Sequence, residues 1–368
     1  MISFNRYSVW QNSEVRTRLN WYYEVMRDIK PAKFLVAKRI PYKGDLEQTS
    51  IEALWTEHQR LSQRFKRILK AVQEDRLILK NLPEPDLSLL DVKTELLNRM
   101  LRRCEFCEWR CKVDRVKGDK MGACRVGLET RVSTWFHHYG EEPPLTTGQG
   151  SGTIFFAGCT FRCVFCQNWD ISQNPSNGVV ADGRKLALIM KGLREAGAAN
   201  INFVGGDPTP NLHTILDSTR HLNINVPLLW NSNLYLTPEA MSILTDVIDI
   251  WLPDFKWGSD HCALQLSKIP NYWEVISRNH LLAQRDGDMI IRHLVMPGHT
   301  ECCTKPILKW IAANCPRALV NIMGQYHPDY MVPANPKYRD INRCPTDEEI
   351  NKAYRYADQL GIIYRPIS

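Results

Sequence analysis

Three cysteines spaced as Cys159-x3-Cys163-x2-Cys166 follow directly on a strand-sized apolar run, Thr153 to Gly158. On a loop, three thiolates can converge on one metal centre without a helix imposing its own geometry. As ligands of a [4Fe-4S] cluster they would satisfy three irons and leave the fourth open. A structural zinc ion would want a fourth protein ligand to close its tetrahedron, and no obvious partner completes this triplet; buried free thiols are the other alternative. A second group, Cys104-x2-Cys107-x3-Cys111-x12-Cys124, supplies four soft ligands within 21 residues, with Gly118 and Gly122 letting the chain fold back. Four thiolates suit a closed zinc or mononuclear iron site, or a second iron–sulfur cluster able to relay electrons. The closed metal site is the expectation here. The other five of the twelve cysteines, Cys262, Cys302, Cys303, Cys315 and Cys344, show no comparable spacing.

The elements that must position the first loop are legible from Gly152 onward, where short apolar runs alternate with helical stretches. Strand candidates are Thr153 to Ala157, Asn200 to Val204, Val226 to Trp230, Ile248 to Leu252, Met289 to Val295 and Ala318 to Met323. The expected fold class is α/β, with these six strands in a partial, open (β/α)6 barrel. Loops at the C-terminal ends of parallel strands gather side chains from several strands. Those loops read Gly205-Gly206-Asp207, Asn231-Ser232-Asn233, Asp254-Phe255-Lys256, Pro297-Gly298-His299 and Gly324-Gln325-Tyr326. Each alone is as well explained as a turn or helix cap; their repetition predicts one shared site.

Upstream, residues 1–103 are expected to form a mainly helical N-terminal domain. It has amphipathic stretches at Val15 to Met26 and Ile51 to Leu79 and a proline break at Leu82 to Pro85. Residues 104–150 form a four-cysteine connector, and residues 151–368 the barrel. Between the clusters, Trp135, His137, His138 and Tyr139 either pack the connector or contact a cofactor. Tyr326 and His327 are pocket candidates beside the turn at Pro328.

The chain is 44% hydrophobic over 368 residues, enough to bury a sizeable core, and its net charge of +7 is spread along the sequence. Basic groups occur at Arg16 to Arg18, Arg64 to Lys70 and Arg99 to Arg103, and a solvated basic face is their simplest reading. No RNA-binding signature accompanies them, so a nucleic-acid partner is not expected. The longest apolar runs are too short to span a bilayer, and no membrane association is expected. Met1 to Tyr7 lead into polar residues before any signal-peptide core could form, so a reducing cytoplasm is the expected setting. There, clustered cysteines read as metal or redox sites before disulfides.

The triplet, with Phe165 before its last cysteine, resembles the signature of the radical S-adenosylmethionine (SAM) superfamily. Gly140-Glu141-Glu142-Pro143-Pro144, Gly150 to Phe156, Cys166-Gln167-Asn168-Trp169, Phe203 to Pro210, Asn231-Ser232-Asn233 and Arg292 to Gly298 are similar to the branch that resembles pyruvate formate-lyase activating enzyme. The likeness covers roughly residues 104–345. It implies a [4Fe-4S] cluster on Cys159, Cys163 and Cys166 whose open iron takes the amino and carboxylate groups of SAM. An electron from a low-potential donor then yields methionine and a 5′-deoxyadenosyl radical. By the same resemblance, Gly205, Gly206 and Asp207 contact the methionine amino group, although Asp207 stands where the branch usually has Glu. Asn231 and Ser232 lie near the ribose or carboxylate, Asp254 and Lys256 match an Asp-x-Lys element, and Arg292 and His293 face the cofactor.

The resemblance also implies a protein substrate attacked at a backbone Cα. One outcome is a stored glycyl radical. Another is C-methylation, as in the cobalamin-dependent members of the broad group, one of which modifies a glutamine of methyl-coenzyme M reductase. The aromatic N-terminal segment, the four-cysteine site and the chain length favour C-methylation; the lack of an Asp-x-His-x-x-Gly cobalamin motif counts against cobalamin. A non-catalytic iron–sulfur electron-transfer protein is the alternative from a different class.

Overall fold

The computed structural model describes residues 8–368; Met1 to Tyr7, on which the signal-peptide reading rested, lie outside the described residues. Eight strands form one sheet: β1 (Arg131–His138), β2 (Ser151–Phe156), β3 (Val179–Val180), β4 (Ile201–Gly205), β5 (Leu228–Ser232), β6 (Ile250–Pro253), β7 (Asp288–Leu294) and β8 (Leu319–Met323). Their order is β3-β1-β2-β4-β5-β6-β7-β8. Every junction from β2 through β8 is parallel. These are the six expected strands, and their continuous burial reflects a sheet covered on both faces.

Two further strands were not expected. β1 lies inside the connector and pairs antiparallel with β2 and with β3. Its sequence, Arg-Val-Ser-Thr-Trp-Phe-His-His, is rich in β-branched and aromatic residues but has little buried surface, and Trp135 and Phe136 remain exposed. By occupying the edge of β2, it caps a strand that would otherwise offer unpaired backbone groups.

Strand alternation sorts the side chains. Phe203, Trp230, Trp251, Ile291 and Ile322 pack on one side, against the surrounding helices, in the larger core. Leu229, Ile250, Leu252, Ile290 and Leu319 face the other way and close the barrel interior around Val15, Leu19 and Tyr22 from the N-terminal helices Ser13–Arg18 and Asn20–Met26. Those helices dock at the strands' N-terminal ends. Trp21 Nε1 donates to Asp249 Oδ1 at 2.9 Å, the Tyr22 amide to Asp288 Oδ2 at 2.8 Å, and Asn200 Nδ2 to the Tyr22 hydroxyl at 2.9 Å.

The long helix Ile51–Gln73 and the helix Leu89–Met100 complete this N-terminal layer. Lys93 and Asp246, both fully buried, meet at 2.8 Å and tie the layer to the barrel. With the N-terminal end filled by apolar side chains, the opposite mouth is left for polar chemistry.

Candidate active site at the C-terminal mouth of the barrel

The triplet occupies the loop after β2, held from behind by the helix Asp260–Ser267: the Arg162 amide donates to Ser267 O at 3.0 Å and the Val164 amide to Leu266 O at 2.9 Å. Cys163 Sγ lies 3.0 Å from Ser267 Oγ, Cys166 Sγ 3.2 Å from Ser172 Oγ, and Cys159 Sγ accepts from the Phe161 amide at 3.3 Å. Burial pushes the Cys159 thiol well up, Cys163 up to about 12 and Cys166 up. Bare thiols here would stay protonated, and a metal bound among them would supply the positive charge that thiolates need.

Gly205 shows why this loop sits where it does. Its φ is +118°, and a Cβ would come within 2.1 Å of the Phe156 amide nitrogen. Only glycine allows the end of β4 to approach the end of β2 this closely. Gly206 is packed in the same way, against Gly158 O. Both glycines of the Gly205-Gly206-Asp207 element therefore have a packing role.

A continuous polar chain runs from the cysteine loop across four strand ends. Asp207, buried, accepts from the Thr209 amide at 2.8 Å and from Asn233 Nδ2 at 2.9 Å. Asn233 Nδ2 also lies 3.9 Å from Cys159 Sγ, and Asn233 Oδ1 accepts from Lys256 Nζ at 2.7 Å. Lys256 Nζ pairs with Asp254 Oδ2 at 2.6 Å, whose other oxygen accepts from Arg292 Nε at 2.9 Å. Arg292 in turn donates to Asn231 Oδ1. Burial alone would raise Asp254, but Arg292 and Lys256 hold its carboxyl below the ordinary value. The Asn231 Nδ2 is buried and has no partner. Ser232 Oγ accepts from the Leu234 amide at 3.0 Å, as a turn-forming residue does.

Two residues absent from the expected site enter from the connector. Glu141 lies 3.7 Å from Arg292, accepts from Asn202 Nδ2 at 3.1 Å and meets His138 Nδ1 at 3.2 Å. Glu142 accepts from Asn321 Nδ2 at 2.9 Å, while its second oxygen is buried without a partner. Burial pushes Glu142 up to about 7 against the opposing pull of Arg292. Arg292 is thus ringed by three carboxylates. The Gly140 to Pro144 motif contained the signal for both residues, but nothing in its spacing tied it to β7.

Arg292 and His293 do not share surroundings. Neighbouring strand residues point to opposite faces, and His293, fully buried, bonds Phe255 O and Thr304 Oγ1, each at 2.9 Å, on the helix side of the sheet. Nor does the Tyr326 hydroxyl join the polar chain: it donates to Ile341 O. His137 bonds Gln149 O and so packs the connector.

The four connector cysteines form a compact loop. The Cys104 amide donates to Val113 O at 2.9 Å and the Lys112 amide to Cys104 O at 3.0 Å, closing one turn; the Ala123 amide donates to Cys111 Sγ at 3.3 Å. Burial raises Cys107, and the nearness of the Cys124, Cys104 and Cys111 thiols raises it further. The loop touches the barrel mouth, since Cys107 bridges Leu236 and Trp109 Nε1 donates to Thr160 O at 2.8 Å. A third group was missed by sequence spacing: Cys262, His299, Cys302 and Cys303 converge from two separate segments.

Residues 153–311 match the sequence model of the family described as the Radical SAM superfamily. That stretch is a radical SAM domain. Over 355 residues the chain is 43% identical to the uncharacterized protein MJ0674 of Methanocaldococcus jannaschii, covering 94% of this chain and 99% of that protein. Among solved structures, it is similar to SuiB of Streptococcus suis bound to the precursor peptide SuiA. That match has a TM-score of 0.40 and 12% identity, over 55% of this chain and 43% of SuiB. It is also similar to TYW1 with a lysine-pyruvate adduct bound, with a TM-score of 0.35 and 13% identity, over 56% of this chain and 73% of that one. The chain therefore spans less than half the length of the SuiB chain it matches. A radical SAM domain implies a [4Fe-4S] cluster and SAM as cofactors. No helix among the described residues is long and apolar enough to cross a membrane.

Proposed function

We infer that Cys159, Cys163 and Cys166 hold the [4Fe-4S] cluster and that the enzyme abstracts a hydrogen from a Cα of a protein substrate, leading to C-methylation of that residue. The observation that carries the cluster assignment is the polar chain from Cys159 through Asn233 and Lys256 to Arg292, which runs beside three thiols, Cys159 and Cys163 buried and Cys166 half-buried. The residues fit the cofactors: the donor set is three soft thiolates, and the unpartnered Nδ2 of Asn231 is a buried donor with nothing of its own to bind. The bound cluster and SAM supply the 5′-deoxyadenosyl radical once a low-potential donor delivers an electron.

The chain's own residues do the rest. The main-chain carbonyls of Gly205 and Gly206 would receive the SAM amino group. Asp207 would act mainly by fixing Asn233, since its carboxylate is already hydrogen-bonded. Asn231, with Ser232 shaping its turn, would bind the carboxylate or ribose. Lys256, whose charge favours the Cys163 thiolate, would help to hold the cluster's negative charge. Asp254 fixes both Lys256 and Arg292 in place. His293 would position β7 against Thr304 from outside the barrel. The four connector cysteines would close a structural zinc or iron site that pins the helical segment 1–103 and connector 104–150 to the barrel 151–368. A reducing cytoplasm suits this reading.

The methylation step rests on the family resemblance. In that reading the substrate is a glutamine of methyl-coenzyme M reductase and the methyl donor is cobalamin. The sequence lacks the usual cobalamin motif.

The test uses anaerobically reconstituted, reduced protein with SAM, following 5′-deoxyadenosine by mass spectrometry beside iron and cobalt analysis, with Cys163→Ala as control. Deoxyadenosine lost in the variant supports the cluster assignment, and cobalt retained by protein made with ample cobalamin supports methylation. Cobalt-free protein with methyl-free products would favour glycyl-radical activation. An intact cluster that yields no deoxyadenosine would point to electron transfer.

A further inference from the structure

We propose that Cys262, His299, Cys302 and Cys303 form a mononuclear tetrahedral zinc site, a metal centre separate from both sequence-legible cysteine groups. With zinc–sulfur bonds of about 2.3 Å and zinc–nitrogen bonds of about 2.0–2.1 Å, a tetrahedron's edges are about 3.8 Å between sulfurs and about 3.5 Å between sulfur and nitrogen. Here Cys262 Sγ to Cys302 Sγ is 3.8 Å and Cys302 Sγ to Cys303 Sγ is 3.8 Å. His299 Nδ1 lies 3.6 Å from Cys262 Sγ, 3.3 Å from Cys302 Sγ and 3.8 Å from Cys303 Sγ. All four ligand atoms lie within 4.8 Å of one another.

The backbone is shaped for this approach. His299, Cys302 and Cys303 share the π-helical turn Thr300–Thr304 and its cap, a wide turn that brings positions i, i+3 and i+4 to one face. Cys262 arrives on the helix Asp260–Ser267, whose N-cap Ser259 accepts from the Cys262 amide at 3.3 Å. Between the two segments stands Gly258, where a Cβ would meet Cys302 O at 2.4 Å and Cys303 Cα at 2.7 Å. Any larger residue would force the ligands apart.

Three thiolates and an imidazole leave no open position, so the site is structural rather than catalytic. Its place gives it a job. The helix that carries Cys262 ends at Ser267, which contacts Cys163 Sγ and accepts from Trp257 Nε1 at 2.8 Å, and the Trp257 ring packs on His299 with centroids 5.9 Å apart. The zinc would clamp that helix to the turn after β7 and so hold the wall behind the triplet loop.

The experiment compares the zinc content of the intact, anaerobically purified chain as Cys107→Ala, in which the connector site is disabled, and as Cys107→Ala with Cys302→Ala. The first is expected to keep about one zinc per chain, with three sulfurs and one nitrogen by zinc K-edge X-ray absorption, and the second to lose it. Equal zinc in the two, or a zinc shell without nitrogen, would overturn the site. A measurement on the wild-type chain does not depend on either variant folding. Cys302 is the exposed ligand, and its alkylation should speed up at least about tenfold once a chelator removes zinc, because only the released thiol is a free nucleophile. An unchanged rate would also overturn the site. Neither readout uses turnover, so the outcome is independent of the reaction proposed above.

Discussion

Glu142→Gln tests the electrostatics of the barrel mouth. Glu142 is buried, its Oε1 accepts from Asn321, its Oε2 has no partner, and its folded pKa stands at about 7 against an ordinary value of 4.5. Below the ordinary value both folded and unfolded chains carry the proton, and Glu142 costs nothing. As pH rises from there, the unfolded chain releases its proton first, and stability falls until the folded group also ionises near 7. The integrated loss is on the order of 3 kcal/mol. Glutamine keeps the acceptor for Asn321 Nδ2 and cannot ionise. Anaerobic urea unfolding of both proteins at stepped pH should give curves that coincide near about pH 4 and diverge above it, with the variant more stable by on the order of 3 kcal/mol at about pH 8. Acid-labile cofactors affect both proteins alike and drop out of the difference. Parallel profiles across that range would refute the account, and would mean that Arg292 already neutralises Glu142.

Lys93→Met leaves the buried Asp246 carboxylate without its cation and should cost about 3–5 kcal/mol; adding Asp246→Asn should recover much of it, read by denaturant midpoints. If the double variant is no more stable than the single, the pair does not act as a unit. Gly205→Ala should lower the thermal midpoint by an amount matching more than about 2 kcal/mol, because the new Cβ strikes the Phe156 backbone at 2.1 Å. A midpoint unchanged from wild type would show that β4 can shift away from β2.

Much of the barrel was legible because its strands are buried on both faces, so each reads as a short apolar run bounded by turn residues. All six parallel strands lie within two residues of their expected ends. β1 escaped because a strand flanked on its outer side by only the two-residue β3, with much of its surface exposed, lacks that signal, and its aromatic residues read equally well as connector packing. The triplet and the four connector cysteines stood out because their thiols are close in sequence, where spacing itself limits geometry.

The sequence carries the local chemistries: two cysteine groups, the glycine-rich strand ends, and the short apolar runs between helical stretches that build a parallel array. Which of these meet is set by the packing of the strands. Glu141 and Glu142 reach Arg292 across more than half the barrel domain, and Cys262 reaches His299 and Cys302 from a different crossover. Sequence separation says nothing about such contacts, because they depend on which strand lies beside which and on the face each side chain takes. The same rule separated Arg292 from His293. Adjacent in sequence, they lie on opposite sides of a sheet whose inner face at this end is polar and whose outer face is packed with helices.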